Sequence, residues 1–283
     1  MNFTKMQGAG NDFILVEAGD EQQDWSQTAI AMCDRRFGIG ADGLVLLLPS
    51  GRADFKMRMF NPDGSEAEAC GNGLRCLAKY ILNRGLVNAE AQEITIDTAA
   101  GIRKVKFHKV VGTQVSMGEP KFVTEDIPVC IEKNDGRILD IKQPISYSIN
   151  IDSWQLVLDF VSMGNPHAVY FCQQPVSEFP LALLGPKVEH HKIFPNRVNF
   201  EVARVISRQQ IEVRVWERGA GETLACGSGA CAVAVASRLH GYIDANVDIK
   251  LPGGILHVYW NGAEEVFLSG PSEVVFTGEW PEV

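Results

Sequence analysis

Alternation of apolar and polar side chains dominates this chain. Ile211, Val213 and Val215 alternate with Glu212, Arg214 and Trp216, and Val105 and Phe107 alternate with Lys104 and Lys106. A period of two predicts strands with one face buried. Ile255-Leu256-His257-Val258-Tyr259-Trp260 and Val274-Val275-Phe276 continue the pattern, and the run Leu44-Val45-Leu46-Leu47-Leu48-Pro49 reads as a further strand. Two stretches break the rhythm. Leu74, Leu77, Ala78, Ile81 and Leu82 recur at helical spacing and stop at Gly85. Ala230-Cys231-Ala232-Val233-Ala234-Val235-Ala236 is apolar all round, as in a helix buried within its own domain. Each half of the chain therefore reads as many strands around one buried helix, an α+β class, with a boundary predicted at Gly118-Glu119-Pro120.

The two halves repeat one another. Glu66-Ala67-Glu68-Ala69-Cys70-Gly71-Asn72-Gly73 reappears as Glu222-Thr223-Leu224-Ala225-Cys226-Gly227-Ser228-Gly229, and the match runs ungapped to Gly85 and Gly241. Upstream of each copy, at nearly equal distance, stand Gly10-Asn11-Asp12-Phe13 and Gly164-Asn165-Pro166-His167. Ordered landmarks of this kind point to duplication, hence to two pseudo-symmetric domains of similar construction.

Composition narrows the chemistry. With 283 residues, 46% hydrophobic and 22% charged, the chain has material for two buried cores. A net charge of −9 and no basic cluster argue against nucleic acid as a partner. No segment has the apolar length of a membrane span, and seven cysteines without disulfide-framework spacing suit a reducing cytoplasm.

Two of those cysteines carry the strongest signal. In each copy cysteine precedes Gly-x-Gly and a helix. A helix start offers N–H groups without intrahelical acceptors and a partial positive charge. Such a position is expected to lower a thiol from about 8.5 into a range of roughly 3.5–7.5. The same N–H groups hold a carboxylate, and the glycines admit close approach. Two facing units would place one sulfur on each side of an α-carbon, one as thiolate base and the other as thiol acid, for inversion of an amino acid. Cys33, Cys76, Cys130, Cys172 and Cys231 lack that context and read as small buried hydrophobes.

Other motifs fail their context tests. Gly38-Ile39-Gly40-Ala41-Asp42-Gly43 spells GxGxxG, but no strand precedes it and no helix follows, so it reads as a turn. No CxxC, HExxH or GxSxG occurs, and no lysine stands in a Schiff-base setting. Neither metal nor cofactor is indicated. His190-His191 reads as surface.

At these residues the sequence resembles the diaminopimelate epimerases. The matching stretches are Met6-Gln7-Gly8-Ala9-Gly10-Asn11-Asp12-Phe13, Met59-Phe60-Asn61-Pro62-Asp63-Gly64, Ala69-Cys70-Gly71-Asn72-Gly73 and Met163-Gly164-Asn165-Pro166-His167. Pro195-Asn196-Arg197-Val198-Asn199-Phe200, Glu217-Arg218-Gly219 and Cys226-Gly227-Ser228-Gly229 complete the set, nearly end to end. The resemblance implies cofactor-independent interconversion of LL- and meso-2,6-diaminoheptanedioate, a step toward lysine and peptidoglycan precursors. It implies two domains, residues 1–118 carrying Cys70 and 119–271 carrying Cys226, each a β-barrel-like sheet closed around a central helix. Residues 272–283 return to the first domain, the site lies in the cleft, and the enzyme is a cytoplasmic homodimer.

The same resemblance makes Cys70 and Cys226 the acid–base pair. It gives the reacting carboxylate to Gly71, Asn72, Gly227 and Ser228, and the ammonium groups and distal carboxylate to Asn11, Asn61, Asn165, Asn199, Glu217 and Arg218. Amide oxygens and a glutamate suit ammonium, and arginine grips a carboxylate. His167 and Glu217 are expected to tune the thiols. Some family members place a glutamine side chain where this chain has Gly43, so that contact has no direct counterpart here. The competing readings are a two-cysteine proline or hydroxyproline racemase, a thiol redox protein and a non-catalytic amino-acid-binding module. Arg218 and the asparagines argue for a substrate with a second charged end, which proline lacks.

Overall fold

The computed structural model describes residues 1–19, 23–67, 70–88, 91–108, 112–131 and 146–281. Glu68 and Ala69 of the repeat, and residues 282 and 283 of the segment expected to return to the first domain, lie outside them. The chain divides into two compact units, Met1–Ser116 with Ser269–Val283, and Met117–Leu268. The chain thus leaves the first unit beside the Gly118-Glu119-Pro120 stretch and re-enters it at Ser269.

The first unit contains β1 (Asn2–Gly8), β2 (Asn11–Glu17), α1 (Trp25–Cys33), β3 (Gly43–Leu48), β4 (Phe55–Phe60), α2 (Gly71–Asn83), β5 (Glu93–Thr98) and β6 (Gly101–His108), and β7 (Gly112–Gly118) leads out of it. The strands pair in chain order, parallel at β2–β3 and β4–β5 and antiparallel elsewhere. The parallel pairs are those bridged by a helix, because a parallel neighbour requires a long crossover.

The second unit contains β8 (Ser146–Ile151), β9 (Trp154–Ser162), β10 (Pro166–Phe171), α3 (Leu181–Glu189), β11 (Asn199–Ser207), β12 (Gln210–Glu217), β13 (Gly221–Thr223), α4 (Gly227–Leu239), β14 (Asn246–Leu251), β15 (Gly254–Tyr259) and β16 (Val266–Ser269). Its strands run β8-β9-β10-β11-β12-β14-β15, parallel only at β10–β11 and β12–β14. The series β9-β10-β11-β12-β14-β15 therefore repeats β1 to β6, helix crossovers included. The last strand, β17 (Glu273–Glu279), flanks β1 antiparallel, as β8 flanks β9.

The repeated motifs occupy matching places. Cys70 and Cys226 are the N-caps of α2 and α4, and Gly85 and Gly241 follow those helices at φ 64° and 73°. That left-handed conformation ends a helix at low steric cost only with glycine. Gly10 and Gly164, at φ 84° and 95°, turn the chain between β1 and β2 and between β9 and β10. Asn11 and Asn165 thus leave equivalent turns.

The continuous apolar run of β3 has a plain cause: both faces are covered. Ile14, Val16, Leu44, Leu46 and Leu48 pack with Trp25, Ala29 and Met32 of α1. From the opposite face, Val45 approaches Gly73 of α2. In the second unit Leu181, Leu184 and Val188 of α3 pack against Phe160, Ala168, Phe200 and Val202, while α4 is buried along Ala230–Ser237. Each unit is thus a sheet with its longer helix largely buried on one face and its shorter helix on the other.

Two expectations need correction. Cys130 is exposed, not buried, because Val129 and Ile131 on either side of it turn inward. His191 is half-buried beside an exposed His190. The packing reading holds for Cys33 and Cys76, whose thiols burial pushes up to about 11 and about 12. Among the described residues, no helix is long and apolar enough to cross a membrane.

Leu46 is fully buried in the α1 layer. Leu46→Ala is expected to lower unfolding free energy by about 2–5 kcal/mol, read from the urea midpoint. An unchanged midpoint would show that this layer contributes little.

Candidate active site

In each unit the candidate residues are built around a helix start. The backbones of Cys70 and Cys226 are extended (φ −137°, ψ 115° and φ −119°, ψ 116°), which turns each side chain back over the first helical turn. Each sulfur accepts from the backbone N–H three residues on, Cys70 from Gly73 and Cys226 from Gly229, both at 3.4 Å. The intervening positions, Gly71-Asn72 and Gly227-Ser228, present first-turn N–H groups that no intrahelical carbonyl satisfies. The sulfur and N–H groups able to hold an anion therefore share one turn of helix.

In the first unit Cys70 faces Asn11, whose Oδ1 lies 3.9 Å from the sulfur and accepts from Asn72 Nδ2 at 3.1 Å. Asn11 Nδ2 donates to Asp42 Oδ2 at 2.6 Å, which fixes the amide with its oxygen toward Cys70. Asp42 also accepts from Arg35 at 2.8 Å, and Arg35 and Lys5 both pair with Asp12. Burial alone would raise the Asp12 carboxyl, but hydrogen bonds from Arg35 and Lys5 outweigh it and hold that group well below the usual carboxylate range. The turn dismissed as a nucleotide motif thus supplies Asp42 as the anchor for Asn11. Asn61 leaves β4 in a turn with Ser65, its Nδ2 donating to Ser65 Oγ at 2.9 Å.

Gly43 is where some family members carry glutamine. A Cβ there would lie 3.0 Å from both Met59 Cε and the Phe60 carbonyl oxygen. The backbone oxygen cannot swing aside, so a glutamine would require β3 and β4 to shift.

In the second unit Cys226 Sγ lies 3.5 Å from Ser228 Oγ, which accepts from Asn165 Nδ2 at 3.3 Å. His167 Nε2 is 2.9 Å from Asn165 Oδ1, and its Nδ1 is 2.7 Å from Glu201 Oε1. His167 and Glu201 are both fully buried. Glu217 is half-buried, accepts from Thr223 Oγ1 and is held up by burial.

Asn199 is buried and bonds to backbone at both ends, donating to Pro166 O and accepting from Arg218 N, each at 2.9 Å. It sets the turn that presents Arg218, whose exposed side chain donates to Asn196 O at 3.2 Å. Glu189 holds the same turn through Trp216 Nε1 and Gly219 N.

The expected depression of the thiol fails for Cys226. Burial pushes it well above the ordinary thiol value, the Glu217 and Glu201 carboxylates add to that, and the Ser228 hydroxyl and Gly229 N–H recover only part. One helix-start N–H is outweighed by desolvation and two nearby carboxylates. In this conformation Cys226 is a thiol.

Sequence reasoning missed Asp42, Glu189 and Glu201. Glu201 had a signal: an acidic residue between Phe200 and Val202, two positions after Asn199 on the same strand face. A separate cavity of about 1240 Å³, lined in part by Phe3, Trp25, Tyr80, Arg84 and Trp280, contains none of the expected site residues.

The two helix-start glycines differ in what they allow. A Cβ on Gly229 would sit 2.7 Å from Glu201 Oε1 and 3.3 Å from Cys226 Sγ; on Gly73 the nearest atom is the mobile Met57 Cε at 3.3 Å. Gly229→Ala is expected to reduce turnover at least tenfold more than Gly73→Ala, which stays near wild type because alanine also favours the helix by up to about 1 kcal/mol. Equal loss in steady-state assays of both folded variants would contradict this.

The sequence profile described as diaminopimelate epimerase matches residues 3–123 and 160–275. A protein of that name from Acetivibrio thermocellus is 48% identical over 99% of this chain and 98% of its own. Those from Pelotomaculum thermopropionicum and Methanococcus maripaludis are 46% and 45% identical, with 99% of each chain covered. Among solved structures, a hydroxyproline epimerase from Agrobacterium vitis superposes with a TM-score of 0.69 at 15% identity, over 98% of this chain and 91% of that one. A phenazine biosynthesis protein of the PhzF family from Bacillus anthracis gives 0.67 at 18%, over 100% and 99%. These two likenesses concern the fold. On sequence, over its whole length, this chain belongs to the diaminopimelate epimerase family.

Proposed function

We propose that this chain interconverts LL- and meso-2,6-diaminoheptanedioate by inverting one α-carbon, with no cofactor. The observation that carries the chemistry is the double construction: two cysteines, each capping an enclosed helix and each accepting from the N–H three residues on. Inversion needs one group to take the α-proton and another to deliver a proton to the opposite face, and a duplicated cap supplies both. The family relationship carries the substrate.

The roles follow from the local chemistry. Gly71, Asn72, Gly227 and Ser228 receive the reacting carboxylate on first-turn N–H groups, where negative charge developing at the α-carbon is stabilised electrostatically. One sulfur, as thiolate, removes the proton; the other, as thiol, returns one; the reverse reaction exchanges the roles. Burial holds the Cys226 thiol above its ordinary value in the substrate-free protein, which suits it to be the acid in one direction of the reaction. Asn11 Oδ1 and the Glu217 carboxylate accept from ammonium groups. Arg218 pairs with the distal carboxylate, and Asn199 acts by holding the Arg218 turn. Asn61 at the end of β4 and Asn165 beside Ser228 complete the polar set. A cytoplasmic location and a homodimeric state belong to the same proposal and rest on the family relationship.

Incubation of the reduced protein with LL-diaminopimelate in D₂O, without added cofactor, is expected to give the meso isomer with deuterium at one α-carbon. Cys70→Ala or Cys226→Ala should lower that rate by at least about 10²-fold. A folded, reduced protein that exchanges no α-proton would remove this substrate. The state of Cys226 gives a separate check: alkylation of its peptide, followed by mass spectrometry, should be slow at pH 7 and accelerate through pH 9. Rapid alkylation at neutral pH would show that the thiolate dominates without substrate.

A further inference from the structure

The buried groups behind Cys226 form a chain with a direction. His167 has an acceptor at each ring nitrogen, Glu201 Oε1 at 2.7 Å from Nδ1 and Asn165 Oδ1 at 2.9 Å from Nε2. With the Asn165 oxygen turned to the ring, as here, both contacts are satisfied when each nitrogen carries a proton; an amide turned the other way would pair with a neutral ring instead. With Asn165 Oδ1 accepting from the ring, Nδ2 points the other way, to Ser228 Oγ at 3.3 Å. That N–H occupies a hydroxyl lone pair and leaves the Ser228 proton for Cys226 Sγ, 3.5 Å away.

We propose that Glu201 is a positioning residue which, by holding a proton on each ring nitrogen of His167, orients the relay His167–Asn165–Ser228 so that every donor points toward Cys226. The inference rests on the epimerase reading only in assigning Cys226 a proton-transfer role. When Cys226 gives its proton to the α-carbon, the S–H bond breaks, its electron pair stays on sulfur, and the Ser228 O–H already aimed there stabilises the thiolate. No donor has to turn during the step, which is the advantage of an oriented polar environment.

The surroundings fit this role. Glu201 Oε2 is buried with no hydrogen-bond partner among the described residues. An isolated carboxylate there would be costly, and the His167 imidazolium compensates it. Glu201 Oε1 also lies where any side chain at position 229 would begin, so the glycine of the second cap is what admits the carboxylate. The charged and titratable groups facing the relay are Glu201 from β11, Glu217 from β12, His167 from β10 and Cys226 itself. Of the other strands against α4, Asp159 of β9 is engaged by Ser146 and His240, and Asp248 of β14 pairs with His257 of β15 on the surface. The first unit uses another device: Asn11 is oriented by Asp42 and turns its oxygen, not its N–H, toward the sulfur.

The test reads the ring directly. Substrate-free protein is labelled with ¹⁵N-histidine, the His167 signals are assigned through His167→Gln, and wild type, Glu201→Gln and Ser228→Ala are compared at neutral pH. The wild-type ring is expected to carry protons on both nitrogens. In Glu201→Gln it loses the Nε2 proton, and kcat falls about 10–100-fold with KM nearly unchanged, as for other groups that orient a neighbour. Ser228 is only half-buried, so Ser228→Ala should fold; it keeps the wild-type ring state and still loses kcat. A singly protonated ring in wild type overturns the proposal. So does an unchanged ring in Glu201→Gln, or Ser228→Ala with wild-type kcat. Because the ring state is measured without substrate, its outcome is separable from the identity of the amino acid inverted.

Discussion

The chemistry proposed for this protein depends on one contact, made twice: a cysteine sulfur accepting the backbone N–H three residues ahead, at the first turn of a buried helix. That contact fixes the sulfur over the turn and leaves two neighbouring first-turn N–H groups without an intrahelical acceptor. The rest of each unit serves to hold such a turn still. Strands cover the helix, its far end is closed by a glycine in the left-handed conformation, and the second helix packs on the opposite face of the sheet. An enclosed helix cannot shift without disturbing close-packed neighbours, so the sulfur inherits the rigidity of the core.

Equivalent backbones do not make equivalent thiols. Cys70 looks onto an amide oxygen whose orientation is fixed by a charged network reaching Arg35 and Lys5. Cys226 looks onto a hydroxyl with the buried Glu201 and half-buried Glu217 carboxylates nearby, and burial together with those carboxylates raises its thiol well above the ordinary value.

The local devices were legible in the sequence because they are local. Cys-Gly-x-Gly before a helical apolar pattern marks a cap; Gly-Asn between strand patterns marks a turn; their joint recurrence marks duplication. What the sequence hid depends on partners brought from far along the chain. Glu201 carries in the sequence only the weak signal of an acid between apolar neighbours, and its partner His167 is on β10. Asp42 sat in a motif rejected as a nucleotide loop, and its actual partner, Asn11, is on β2. The thiol shift of Cys226 was misjudged because the helix-start effect is short-range and visible, while desolvation and the opposing carboxylates come from strands elsewhere. Cys130 was misread because counting apolar neighbours does not say which way one residue of an alternating stretch points.

The claim that two caps perform two halves of one inversion is tested most directly by following α-proton wash-out into D₂O, separately from the LL and meso isomers, in Cys70→Ala and in Cys226→Ala. Each variant keeps one sulfur. The account predicts that neither inverts the α-carbon and that any residual wash-out falls on opposite isomers in the two variants. Inversion persisting in either variant, or both exchanging the same isomer, would contradict it.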